Sequence, residues 1–240
     1  MRKLLLGDEA IAQAAIDSGL SGVYAYPGTP STEITEFIQL REEKRGEAQD
    51  KIFCRWATNE KTAMEGALGM SYMGKRALVC MKHVGMNVAA DPFVNSAMTG
   101  VNGGLVVVAA DDPSMHSSQN EQDSRFYGKF AMMPIFEPSS QQEAYEMTRA
   151  AFELSEAVKL PVLMRVTTRM AHSRAVVEIT ENPRKQNEIN RPEDVRTWIL
   201  LPAFAKKRYV KLLEQQDDLM KAAVESKYNW YVKGTNPERG

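Results

Sequence analysis

Asn59-Glu60-Lys61-Thr62-Ala63-Met64-Glu65-Gly66-Ala67-Leu68-Gly69-Met70, running on through Ser71-Tyr72-Met73-Gly74-Lys75-Arg76 to Ala77, carries the most structural information in this chain. It stands between two apolar stretches of strand length, 51–57 (Lys-Ile-Phe-Cys-Arg-Trp-Ala) and 77–82 (Ala-Leu-Val-Cys-Met-Lys). Ala63, Gly66, Ala67 and Met70 recur at three- and four-residue steps, so they share one helix face. Small residues there admit close approach of another backbone or of a flat ligand. Glu60 opens this helix at the carboxyl end of a strand, where open α/β sheets place their ligands. The dipole at a helix start also favours a carboxylate, so position alone leaves both readings open.

The same alternation extends in both directions. Asp8 is placed to cap a helix over 9–18, and 22–26 reads as a short strand ended by Pro27-Gly28-Thr29-Pro30. Ser31 caps a helix from 32 to about 44. Helix 85–98, strand 104–110 (Gly-Leu-Val-Val-Val-Ala-Ala), a short strand near 133–136, helix 141–158 and strand 161–166 follow. The run 104–110 is apolar throughout, as in a central parallel strand. The fold class expected is α/β, a doubly wound and mainly parallel sheet flanked by helices. Residues 111–130 form a long polar loop, a length more often functional than idle. After residue 177 the chain turns polar, with Pro183 and Pro192, and an amphipathic helix is expected over 202–228. We therefore divide it at 1–177, the α/β domain, and 178–240, a linker, a helix and the start of a further domain.

Bulk composition narrows the function classes. Of 240 residues, 43% are apolar and 25% charged, and 30 Lys+Arg nearly cancel 31 Asp+Glu. That balance points away from nucleic acid and acidic membranes. No apolar run approaches the roughly 20 residues that span a bilayer, and the opening Met1-Arg2-Lys3-Leu4-Leu5-Leu6-Gly7-Asp8 is too short for a signal peptide. A cytoplasmic protein is expected. Cys54 and Cys80 sit in strand patterns, as buried reduced thiols would, and no Cys-x-x-Cys occurs. His83, His116 and His172 are far apart in sequence, and spacing reveals no metal site.

Three further runs end strands. In Tyr26-Pro27-Gly28-Thr29-Pro30-Ser31-Thr32-Glu33 two prolines fix φ on either side of the flexible Gly28, and Ser31 and Thr32 begin a helix whose free N–H groups suit an anion. A plain strand–turn–helix link explains the same run. In Met81-Lys82-His83-Val84-Gly85-Met86-Asn87, Lys82 offers a cation to a carboxylate and His83 a proton carrier near neutral pH. Alternatively, Lys82 snorkels to solvent and His83 merely caps the turn. Beyond Asp111-Asp112, the loop offers Gln119, Asn120 and Asp123 as contacts, unless it is simply solvated.

Taken together, Tyr-Pro-Gly-Thr-Pro-Ser and the later Asn-Glu-x-x-Ala, with the run 198–209 (Trp-Ile-Leu-Leu-Pro-Ala-Phe-Ala-Lys-Lys-Arg-Tyr), resemble the thiamine diphosphate-dependent 2-oxoacid:ferredoxin oxidoreductases. The form is similar to the amino-terminal pyrimidine-binding domain of their indolepyruvate-type α subunits, and the likeness spans roughly 4–233. It implies that Glu60 hydrogen-bonds N1′ of the aminopyrimidine, and that Thr29, with Gly28 beside it, lies at the pocket. It puts Lys82, His83 and Asn87 near the thiazolium and substrate. In pyruvate-specific relatives an arginine follows the central strand; Asp111-Asp112 stands there instead, which argues against a pyruvate-like binding mode.

The resemblance also implies parts this sequence does not contain. The Gly-Asp-Gly…Asn motif for diphosphate and magnesium is absent, as are cysteine repeats for iron–sulfur clusters. Both are expected on another domain or partner subunit, with coenzyme A and ferredoxin as further partners and a homo-oligomer or α/β complex as the assembly. The implied reaction is oxidative decarboxylation of a 2-oxo acid such as indolepyruvate to acyl-CoA, with this chain inactive alone. Two alternatives are a split-subunit, non-redox thiamine diphosphate decarboxylase and a non-catalytic assembly module.

Overall fold

Six parallel strands form the central sheet of this computed structural model, which describes residues 1–47 and 50–235. They are β2 (Gly22–Ala25), β3 (Phe53–Trp56), β4 (Ala77–Lys82), β5 (Leu105–Asp111), β6 (Ile135–Phe136) and β7 (Val162–Thr167), in the order β3-β2-β4-β5-β7-β6. Helix α1 (Gly7–Asp17) packs on both α2 (Thr32–Arg45) and α6 (Gln141–Val158), and α3 (Glu60–Tyr72) packs on α4 (His83–Thr99). β5 is buried at every residue, which accounts for its unbroken apolar run. The doubly wound α/β class and each expected sheet strand are present. β2 leads through α2 to one side of the sheet and β4 leads through α4 to the other. The winding direction therefore reverses between these two neighbours, and the crevice of the sheet opens at their carboxyl ends.

The small-residue face of α3 lies against the sheet rather than a ligand. A Cβ on Gly66 would come within 2.8 Å of the Tyr24 ring, while Ala63 and Ala67 are wholly buried. Gly22 opposes Met70 in the same way, with Sδ 2.5 Å from a hypothetical Cβ. Glycine at 22 and 66 is thus a packing requirement.

Several elements differ from expectation. α1 begins at Gly7 and is capped by the Glu9 carboxylate, which accepts from the Leu6 N–H at 2.8 Å. Asp8, expected to cap, is fully buried inside the first turn. α4 starts at His83, immediately after β4, and the loop expected over 111–130 is shortened by α5 (Arg125–Ala131). β1 (Arg2–Leu6) pairs antiparallel with β8 (Arg174–Glu178), and α7 (Thr168–His172) joins β7 to β8. These pieces were not visible locally, since β1 and β8 are partners some 170 residues apart and neither alternates.

The polar segment after β8 is tied down along its length. Arg184 N–H donates to the Asp17 carbonyl at 2.8 Å, Asn190 N–H to the Met73 carbonyl at 2.9 Å, and Asn187 Nδ2 to Gly74 and Glu156, both at 2.9 Å. Trp198, in the 3-10 turn Val195–Trp198, stacks on Tyr72 with ring centroids 4.3 Å apart. By contacts the chain forms two compact units, Met1–Leu200 and a second from Leu201 onward. In the second, the single expected helix is two, α8 (Pro202–Glu214) and α9 (Gln216–Val224), separated at Gln215. Trp230, Tyr231 and Val232 are exposed and carry no regular structure. No helix among the described residues is long and apolar enough to cross a membrane.

Candidate cofactor and substrate site

The candidate residues gather where β2, β3, β4 and β5 end. Asn59 fixes the start of α3: its side chain accepts from the Thr62 N–H at 3.0 Å, a strong N-cap. Glu60, the first helical residue, is 8% exposed. Its carboxylate presses on the first turn of α4, where a Cβ at Gly85 would lie 2.6 Å from Oε1 and 2.7 Å from Cγ. Only glycine lets these two helix starts meet around the acid. Among the described residues no hydrogen bond to the Glu60 carboxylate occurs, and its oxygens keep a narrow opening to solvent.

His83 is completely buried at the head of α4. Its Nε2 lies 3.0 Å from the Asn120 carbonyl, which can only accept, so Nε2 carries the proton. In the neutral ring Nδ1 then presents a lone pair, and it too is buried without a hydrogen-bond partner among the described residues. The contact uses the Asn120 backbone; its side chain accepts from Gln122 at 3.1 Å.

Lys82 crosses the crevice. Its stem lies over Gly28, with Cδ 3.1 Å from a Cβ placed there, and Nζ donates to the Ser117 carbonyl at 3.1 Å. Thr29 is exposed, joined to Pro30 by a cis peptide bond, and its carbonyl accepts weakly from Ser117 Oγ at 3.5 Å. Ser31 does not cap α2 with its side chain; Oγ donates back to the Gly28 carbonyl at 2.8 Å, closing the turn on itself. Asn87 accepts from the Tyr127 hydroxyl, linking α4 to α5. Gln119 is exposed and Asp123 pairs with Arg125 at 2.6 Å; neither joins the others through a hydrogen bond among the described residues.

Two anchors escaped the sequence reading. Asp112, fully buried, accepts from the Ser117 N–H at 2.7 Å, Ser118 Oγ at 2.7 Å and Thr168 Oγ1 at 2.8 Å. Burial alone would raise its pKa, but these hydrogen bonds outweigh it and hold the carboxyl well below the ordinary range. Asp111, also buried, binds Arg165 at 2.8 Å and the Ser124 N–H at 3.1 Å, and Arg165 pairs again with Glu137. The Asp-Asp pair thus pegs both ends of the loop that Lys82 and His83 bond. This set of three hydrogen bonds has no complete local signature, because Ser117 and Ser118 follow in the same loop whereas Thr168 comes from a separate segment.

The thiamine diphosphate-binding family of the pyruvate flavodoxin/ferredoxin oxidoreductases matches residues 13–223. The chain belongs to that family. Among curated relatives, it is 45% identical over 232 residues to indolepyruvate oxidoreductase subunit IorA of Archaeoglobus fulgidus, covering 96% of this chain and 37% of that protein. The IorA subunit of Methanothermobacter thermautotrophicus is 44% identical, over 96% of this chain and 36% of that protein. The chain thus spans little more than a third of these family members. The 2-oxoglutarate synthase subunit KorA of the same organism is more distant, 28% identical over 184 residues, 73% of this chain and 47% of that protein. A solved 2-oxoglutarate:ferredoxin oxidoreductase from Magnetococcus marinus shares the fold, with TM-score 0.72 at 17% identity over 98% of this chain and 47% of that one.

Proposed function

We propose that this chain supplies the pyrimidine-binding domain, residues 1–177, of a thiamine diphosphate-dependent 2-oxoacid:ferredoxin oxidoreductase acting on indolepyruvate or another aryl pyruvate. The observation that carries the reading is the Glu60 carboxylate: 8% exposed, pressed on Gly85, and without a hydrogen-bond donor among the described residues. A ring nitrogen of the aminopyrimidine, which accepts a proton from the acid and then donates back to the carboxylate, is the partner such an acid lacks, so the site fits that end of the cofactor. When bound, thiamine diphosphate supplies the nucleophilic carbon for decarboxylation of the 2-oxo acid.

Glu60 then exchanges a proton at the pyrimidine edge, where its low exposure strengthens the bond. His83 Nδ1 offers a buried lone pair for a proton, and its Nε2–Asn120 bond fixes the ring. Gly28 and Thr29 form the opposite lip of the crevice, braced by Lys82. Because Nζ meets only a neutral carbonyl among the described residues, Lys82 is available to a substrate carboxylate. Asn87, Gln119, Asn120 and Asp123 are assigned to the pocket rim. Diphosphate and magnesium fall to a domain outside this chain, as do the iron–sulfur clusters. Residues 178–240 connect to the rest of a cytoplasmic homo-oligomer or α/β complex that uses coenzyme A and ferredoxin.

The test is Glu60→Gln in the complete enzyme. We expect indolepyruvate-dependent dye reduction to fall by about 10²-fold or more, the range for a positioned acid–base group, with thermal unfolding little changed. Near wild-type turnover would sink the assignment.

A further inference from the structure

A second cluster, around the buried Asp8, joins elements of the first unit that sequence spacing could not connect. Asp8 in the first turn of α1, Glu33 in the first turn of α2 and His172 at the end of α7 bring one donor atom each to within 4.8 Å of one another. Asp8 is 0% exposed, and neither of its carboxylate oxygens has a hydrogen-bond partner among the described residues. Glu33 Oε2 is buried and unpartnered as well, while its Oε1 stands 3.4 Å from His172 Nε2. No arginine or lysine among the described residues pairs with either acid. A carboxylate held wholly out of water beside a second one whose Oε2 is also buried, with three orphaned oxygens between them, needs a cation or a proton.

We infer that Asp8, Glu33 and His172 form a binding site for a divalent transition-metal ion of the zinc class. Donors about 2.1 Å from a tetrahedral ion stand roughly 3.4 Å apart, which is the spacing of the Glu33 and His172 atoms. One imidazole with two carboxylates suits zinc better than magnesium or calcium, which prefer oxygen alone. Asp8 and Glu33 would need only a small inward shift to complete three protein ligands. The side chains of Glu33 and His172 are each 34% exposed, which leaves a route in for the ion and a fourth position for water. Gly7 packs so tightly on α7 that a Cβ would sit 2.2 Å from the Met170 carbonyl, so the helix ends carrying the ligands are held together without the ion. The ion would clamp the head of α2, and with it the Tyr26–Ser31 turn, to the ends of α1 and α7.

The chelator-treated chain is titrated with zinc chloride by calorimetry and with cobalt(II) by absorption, and its unfolding is followed with and without zinc. We expect one equivalent to bind and Tm to rise by about 5–10 °C at zinc 100-fold above Kd. Affinity should fall at least about ten-fold in both His172→Ala and Asp8→Asn, as the loss of one ligand of three predicts. His172→Ala alters a partly exposed side chain, and circular dichroism checks that it folds. Absence of binding, or binding unchanged in both variants and therefore owed to His83, His116 or Cys54, overturns the proposal. So does a wild type that ignores zinc while Asp8→Asn raises Tm in metal-free buffer, because the two acids would then share a proton.

Discussion

Replacing Gly85 by alanine tests whether the backbone of α4 was shaped around Glu60. In an ordinary helix interior this change is worth about 0.5–1 kcal/mol of added stability. Here the new methyl would meet Oε1 at 2.6 Å, Cγ at 2.7 Å and Cδ at 2.9 Å. Carbon–oxygen contacts normally settle near 3.3–3.6 Å, so the carboxylate must retreat by roughly 0.7–1 Å. Overpacking of that kind costs about 1–3 kcal/mol, which the helix gain partly offsets. The net expectation is a loss of about 0–2 kcal/mol, or about 0–8 °C in Tm for a domain of this size. Function should suffer more, since a displacement near 1 Å can cost about 10²-fold in rate. Thermal unfolding of the chain and turnover of the complete enzyme supply the two numbers. The double variant Gly85→Ala, Glu60→Gln should be no less active than Glu60→Gln alone, because both act through one carboxylate. A variant that is more stable than wild type and fully active would refute the reasoning.

Other perturbations probe the scaffold. Gly69→Ala, with nothing within 4 Å of its new methyl, should stabilise by about 0.5–1 kcal/mol, whereas Gly66→Ala, against the Tyr24 ring at 2.8 Å, should destabilise by about 1–3 kcal/mol; denaturant midpoints of the pair decide it. Arg76 is 2% exposed and binds Glu156 through contacts of 2.9 and 2.6 Å, so Arg76→Met, which strands that acid, should cost about 3 kcal/mol by the same assay. Burial raises the Glu156 pKa, but hydrogen bonds from Arg76 and Asn187 bring it to about 2, below its ordinary 4.5. A lowered acid contributes stability above its unfolded pKa and loses it as pH falls, so wild-type stability should drop between pH 4.5 and about 2. That part of the acid limb should flatten in Arg76→Met. Asp112→Ala removes the acceptor of three short hydrogen bonds and should speed proteolytic cleavage within residues 113–124; an unchanged cleavage rate would show that other contacts hold the loop.

The order of strands and helices was legible because each element solves a local problem. An apolar run such as 104–110 has to be buried on both faces, and the α3 stripe of Ala63, Gly66 and Ala67 has to lie against something. Glu60 was legible too, since a strand end, a cap and an acid follow one another within four residues. Contacts made by distant segments left no such trace. β1 and β8 lack alternation and exist as partners, and the polar stretch after residue 178 looked like a free linker because its carbonyl acceptors belong to other segments.

The class of fold, the family and the acid at the head of α3 could all be read from neighbours in the chain. What those residues touch emerged only in the folded chain. Folding set Gly85 against Glu60, turned His83 onto a backbone carbonyl, and made Asp111 and Asp112 pegs for a loop. It also brought residues 8, 33 and 172 into one cluster. Hydrogen bonding and charge act over a few ångströms in space, and a parallel sheet brings its strand ends that close irrespective of their separation along the chain.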